Sequence, residues 1–228
     1  MPKPQERDLD ATRVIFTNWI ERKLDGVSDL NVELLGGPEN TGFSNETLSF
    51  NVSYKLNGTS IETGMVLRFY PEGFFVFPDY DIHKQFLIMQ KLADHDIKVP
   101  KVLWYEPSDA VFGTSFYVME MASGDAPSDN PPFHQEGWVA DSSEEVRERI
   151  WWGWVEQMAK IHKVDISNGD FEFLNRPKIA EDYLDQELNY YFDFHDWAME
   201  GEAHPAADQA REWLKKNKPK PTQASILW

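Results

Sequence analysis

The chain has 228 residues, carries 39 Asp and Glu against 22 Lys and Arg for a formal net charge of −17, and has no Cys. Disulfides, thiolate catalysis and Cys-based zinc sites are thereby excluded. A field of that sign repels phosphate backbones and anionic lipid, so neither nucleic acid nor a membrane is an expected partner. The N-terminus MPKPQERDLD has no apolar h-region. No apolar run approaches the roughly 18–20 residues that span a bilayer, and a soluble cytoplasmic protein is expected.

In chain order, Asp10 or Thr12 is the expected cap of a helix running to about Leu24, with Val14, Ile15, Trp19, Ile20 and Leu24 at helical spacing. The period then changes. Val32, Leu34 and Leu35 lead into Gly36-Gly37, and Leu48, Phe50, Val52 and Tyr54 alternate as in a half-buried strand. Asn57-Gly58 predicts a tight hairpin into a strand over 60–69. A loop rich in Gly, Pro and aromatics follows. Helical period returns over 81–94, with Ile82, Phe86, Met89 and Leu92 on one face. VLWYE (102–106) and SFYVMEM (115–121) read as two more strands around a turn with Gly113. After a linker-like stretch at 122–142 the chain reads as helical, over 143–164, 180–200 and 205–216. In the first of these, Val146, Ile150, Trp154, Met158 and Ile161 recur near 3.6, and Trp151, Trp152 and Trp154 are expected in a core and domain interface. Ile226, Leu227 and Trp228 read as the start of a buried strand.

Several residues bear on chemistry. ELLGGPENTGFSNETLSF (33–50) lies between two predicted strands. Consecutive amides in such a turn can receive phosphate oxygens, although a plain hairpin turn satisfies the same pattern. It is neither a Walker loop nor a dinucleotide fingerprint, because no helix follows. Arg68 in VLRFY is a strand cation that either reaches a phosphate or faces water. Asp79, Asp81 and His83 suit an acidic helix start better than a metal site. His162 and Asp165, at i and i+3, suit a structural hydrogen bond, and His195 and His204 have no evident partner. The carboxylates Glu181, Asp182, Asp185, Glu187, Asp193, Asp196 and Glu200 read as a solvated acidic face, with attraction of a cationic acceptor as the alternative.

Taken in order, GGPENTGFSNET (36–47), VLRFYPEG (66–73), IKVPKVLWYEPSDAVFGTSFYVMEMASG (97–124), WVEQMAKIHKVD (154–165) and EGEAHPAADQAREWLKKNKP (200–219) resemble the aminoglycoside phosphotransferase and choline kinase-like family. They look most like the subgroup related to the kinase domain fused to some acyl-CoA dehydrogenases. The resemblance implies an α+β, protein-kinase-like fold. It implies a complete sheet-rich N-terminal nucleotide-binding lobe over 1–123 and an incomplete helical C-terminal lobe over 124–228. It also implies ATP and Mg as cofactors, with a nucleotide and a small-molecule hydroxyl acceptor as partners.

On this resemblance Gly36, Gly37, Ser44 and Asn45 cover the nucleotide phosphates, and Arg68 holds the α/β-phosphates. Glu120, Met121 and Ala122 form the hinge that offers backbone groups to adenine, with Met119 just before it. Two departures stand out. Gln85 occupies the place of the acidic partner of the strand cation, leaving Glu72, Asp79 or Asp81 to substitute, and the insertion before Ser44-Asn45 is long. ILW (226–228) matches the residues just before the family's catalytic Gly-Asp, which an Asn follows five residues later. The expectation is therefore an N-terminal fragment of an ATP-dependent phosphotransferase, inactive as given, without catalytic base or metal ligands. The alternatives are a naturally short, pseudokinase-like nucleotide-binding or interaction protein and an unrelated α+β binding protein.

Overall fold

The structure is a computed structural model that describes residues 7–36, 46–71, 77–220 and 223–227. The chain divides into two compact units, Met1–Val76 with Tyr80–Lys160, and Phe77–Asp79 with Ile161–Trp228.

The first unit opens with helix α1 (Leu9–Glu21). Its cap is Asp8, upstream of the expected Asp10 or Thr12: the Asp8 carboxylate accepts from the Ala11 N–H at 2.9 Å. Thr12 donates its hydroxyl to the Asp8 carbonyl at 2.7 Å. The buried stripe is Thr12, Phe16, Trp19 and Ile20, whereas Val14 and Ile15 face outward, 49% and 37% exposed. At about 100° per residue, neighbouring positions compete for the sheet-facing direction. Phe16 takes it, packing on Phe50 with ring centroids 4.6 Å apart.

Strands β1 (Val27–Gly36), β2 (Thr47–Leu56), β3 (Thr59–Phe69), β4 (Val102–Glu106) and β5 (Phe116–Glu120) form one antiparallel sheet in the order β1-β2-β3-β5-β4. Asn57 and Gly58 turn β2 into β3 with φ of 51° and 81°. Positive φ at both central positions is the hairpin geometry whose twist matches the strands, and Asn-Gly tolerates it. The period-2 alternation divides the sheet residues between two faces. One face presents Leu48, Phe50, Val52, Met65, Leu67, Phe69, Phe116 and Val118 to the core that α1 covers. On the other, Tyr117 is buried with Ile82 and Phe86 of helix α2 (Ile82–Leu92), flanked by Met119, Val102 and Tyr105. Asp81 caps α2, its carboxylate accepting from the Lys84 N–H at 2.8 Å, and His83 stacks on Tyr105 at 4.4 Å. Both residues have structural roles at that helix start.

A polar clasp ties α1 to β4. Trp19 Nε1 donates to Glu106 at 3.0 Å, and Lys23 lies 3.5 Å from the same carboxylate, whose side chain is 17% exposed. The Trp19 hydrogen bond, with help from Ser108 and Lys23 and against the cost of burial, holds the Glu106 carboxyl below its ordinary value of 4.5. A depressed folded-state pKa adds stability above the unfolded-state value that is lost as pH falls through the folded one. Wild-type stability is therefore expected to fall more than that of Glu106→Gln on acidification from pH 6 into the acid limb below 4.5. Urea unfolding across that range checks this, and parallel curves would show that the clasp is not charge-dependent.

Helix α3 (Glu144–His162) is bound to the first unit by the Lys98 N–H on Gln157 (2.9 Å) and by Lys160 Nζ on Asp96 (2.7 Å). Trp151, Trp152 and Trp154 are 57%, 54% and 52% exposed, contrary to the expected core packing. Successive helical positions diverge by about 100°, so these three cannot share one buried face. Trp151 and Trp154 instead meet edge-on at 5.6 Å.

In the second unit, a single 3₁₀ turn at Glu172–Leu174 precedes helices α4 (Tyr183–Met199) and α5 (Pro205–Asn217). Asp165 accepts from the Ser167 N–H at 2.9 Å. His204 caps α5 through Nδ1, and the His195 ring lies edge-on to that of His204 with centroids 6.4 Å apart, contacts the sequence did not show. Ile226 is buried and Leu227 is 74% exposed. Contrary to expectation, residues 223–227 form no strand. An apolar run becomes a strand only where another strand completes its ladder; Trp228 lies outside the described residues.

Candidate functional site

The candidate surface follows from strand alternation. Met65, Leu67 and Phe69 point toward the α1 core, so Gly64, Val66 and Arg68 lie on the opposite face of β3. Leu35 lies on that same face of β1, since Val32 and Leu34 pack on the α1 side. Arg68 pairs in register with Thr47 on β2 and Tyr117 on β5. Burial pushes the Tyr117 phenol up, and the positive charge of Arg68 beside it draws the other way. Tyr117 was not singled out from sequence; the alternation of SFYVMEM (115–121), once phased by the buried Phe116 and Val118, places it there.

At one end of this face Gly36 closes β1 with φ +103° and open space where a Cβ would stand. That backbone suits glycine and strains other residues. Gly37, Ser44 and Asn45 lie outside the described residues, as does Glu72. Gln85 stands on α2 one turn from its cap, its N–H donating to the Asp81 carbonyl at 3.1 Å. Asp81 is committed to capping that helix.

At the other end lies the Glu120–Ala122 segment. The Glu120 N–H donates to the Lys101 carbonyl at 2.8 Å, and the Met121 N–H donates to the Gly64 carbonyl at 2.9 Å. The Glu120 carboxylate lies 3.5 Å from Lys101 in an exposed pair that contributes little. Met121 is 40% exposed and Ala122 is exposed. One face of one sheet thus carries the glycine terminus of β1, the cation, the apolar Leu35, Val66 and Met119, and the segment leaving β5.

The spacing Gly-Asp with Asn five residues later occurs twice in the chain, at Gly124-Asp125…Asn130 and Gly169-Asp170…Asn175. Asp170 is engaged with Asn168 at 2.7 Å, and Asn175 accepts from Gln186 at 2.7 Å. Asp125 and Asn130 are exposed loop residues. Among the described residues no group of three or more His, Asp or Glu could hold a metal ion. No helix among them is long and apolar enough to cross a membrane.

Comparison with known proteins bears on the family and the fold. Residues 47–227 match the model of the phosphotransferase enzyme family. Acyl-CoA dehydrogenase family member 11 of Homo sapiens is 28% identical over 154 residues, 68% of this chain and 18% of that protein. Acyl-CoA dehydrogenase family member 10 of Mus musculus is 23% identical over 228 residues, 98% of this chain and 19% of that protein. The chain thus spans about a fifth of the length of these relatives. The crystal structure of a provisionally assigned aminoglycoside phosphotransferase from Ralstonia eutropha superposes with a TM-score of 0.55 at 21% identity, covering 91% of this chain and 54% of that one. The likeness shows a shared protein-kinase-like α+β fold. With the family model matching well over half its length, the chain belongs to the phosphotransferase enzyme family.

Proposed function

We propose that the chain supplies the nucleotide-binding lobe and part of the helical lobe of an ATP-dependent phosphotransferase acting on a small-molecule hydroxyl. Residues 1–123 form the nucleotide lobe in this reading and 124–228 belong to the helical lobe. A cytoplasmic location, where ATP is supplied, is part of it. The observation that carries it is the placement of Arg68 on the same sheet face as Gly36 and the Glu120–Ala122 segment.

Arg68 would hold the α/β-phosphates with a fixed, permanently charged fork. Gly36 and Gly37, with Ser44 and Asn45, would cover them with backbone and side-chain donors. Gln85 would stand beside Arg68, able to hydrogen-bond it without neutralising it. The base would lie against Leu35, Val66, Met119 and Met121. The N–H groups of Glu120 and Met121 are already spent on the Lys101 and Gly64 carbonyls, so the Glu120 carbonyl and the Ala122 N–H are the groups assigned to adenine.

In the reaction the acceptor oxygen bonds to the γ-phosphorus, the γ-phosphoryl bond to ADP breaks, and the hydroxyl proton passes to a base. Magnesium supplies charge neutralisation on the phosphates when bound. Neither base nor metal ligand is assigned to residues 1–228, so binding is the appropriate test. The pairing of four carboxylates of the acidic face with cations of this chain argues against a cationic acceptor there. Asp182 and Asp185 pair with Lys218, Glu187 with Arg176, and Asp196 with Arg211. A hydroxyacyl acceptor is the better reading, in keeping with the acyl-CoA dehydrogenase names of the relatives.

Arg68→Ala is expected to weaken ADP binding at least about tenfold while leaving adenosine binding within about twofold, because the lost interaction is with phosphate. Arg68→Lys should recover part of the loss. Calorimetric titration of both ligands decides it. Equal losses for ADP and adenosine, or no ADP binding by the wild type at millimolar concentration, would reject the reading.

A further inference from the structure

Gly64 lies inside β3, in register with Asn51 of β2. Its φ is outside the left-handed region, so conformational freedom does not explain a glycine there. Space does. A Cβ built on Gly64 would stand 2.4 Å from Met121 Cε, 2.8 Å from Met121 Cβ and 3.4 Å from Met121 Sδ. The first conflict is with a flexible tip that can swing away. The second is with an atom fixed to the backbone, and it is relieved only if the Met121 main chain moves. That main chain is held to the same residue by the 2.9 Å hydrogen bond from the Met121 N–H to the Gly64 carbonyl. Gly within a strand often marks such a close approach.

We infer that Gly64 is a positioning residue for the Glu120–Ala122 segment. The empty space at its α-carbon lets Met121 settle on β3, and this fixes where the Glu120 carbonyl and the Ala122 N–H are presented. A side chain at 64 lifts Met121 by several tenths of an ångström and stretches the bond that anchors it. The inference rests on the nucleotide reading for its functional consequence, but its structural content is independent of it.

The test uses wild type, Gly64→Ala, Met121→Gly and the double variant, with amide-exchange protection at position 121 and ADP affinity as paired readouts. Gly64→Ala is expected to lower protection at 121 about tenfold and ADP affinity about three- to tenfold. Protection across the β2–β3 hairpin should be unchanged. Met121→Gly removes all three conflicting atoms. In that background Gly64→Ala is expected to change protection and affinity less than twofold, a rescue that a general loss of stability would not show. Unaltered protection at 121 in Gly64→Ala overturns the inference, as does a double variant that loses the sum of both singles. If Gly64→Ala does not fold, a folded double variant supports the inference and an unfolded one overturns it. If wild type binds no ADP, the nucleotide reading fails, and protection at 121 still decides whether Gly64 positions that segment.

Discussion

Replacing Phe116 with Ala is expected to cost about 3–5 kcal/mol and to lower the melting temperature by roughly 8–15 °C. Phe116 has no exposed surface and stands at the centre of an aromatic cluster, with ring centroids 5.0 Å from Trp19, 4.9 Å from Phe112 and 6.0 Å from Phe69. Those partners come from α1, β3 and the turn before β5, three parts of the chain held by different elements. They cannot all close on the vacated volume, so a cavity term adds to the lost transfer energy. A domain of this size has only about 5–15 kcal/mol in total. Phe133→Ala, at a residue 47% exposed, is the control and should stay within about 0.5 kcal/mol. Urea unfolding of both variants checks the contrast. Equal losses would mean that the cluster is not the centre of the core.

Gln186→Leu is expected to cost about 2–4 kcal/mol and to act locally within the second unit. Gln186 is 3% exposed on α4. Its Nε2 donates to Asn175 Oδ1 at 2.7 Å and to the Ala180 carbonyl at 3.0 Å, and its Oε1 accepts from the Arg176 N–H at 2.8 Å. One amide thus satisfies the turn over 175–180. Leucine would fill similar volume but leave two acceptors and one donor without partners. Hydrogen exchange should show protection lost over 172–190 and retained in the sheet. Loss spread evenly over both units would contradict a local role. Gln186→Glu sharpens the test, because a carboxylate still accepts from Arg176 but cannot donate. That variant is expected to regain stability as pH falls and the buried carboxyl takes up a proton it can donate.

Much of the fold was legible because its signals are local. The alternation of Leu48, Phe50 and Val52, the Asn57-Gly58 turn, and the spacing of Ile82, Phe86 and Leu92 each depend on a few neighbouring residues. The order of these elements identified the family. The candidate site was less legible. Arg68 could be singled out as a cation among apolar strand residues, yet that residue type alone fits a water-facing position equally well. Its neighbour Tyr117 lies 49 positions along the chain and meets it only through the pairing of β3 with β5.

By itself the sequence determined the types of the main helices and sheet strands, the hairpin, the two sheet faces once phased, and the exclusion of thiol chemistry. Period and turn chemistry are written into adjacent residues. Tertiary structure alone decided which side chains win a shared direction, as Phe16 does over Ile15 and as the tryptophans of α3 do not. It also decided the contacts of His195 and His204, the seating of Met121 on Gly64, and the lack of a strand at 223–227. Each of these depends on register between distant segments. A buried face, a ladder or a close approach exists only when a second element arrives to complete it.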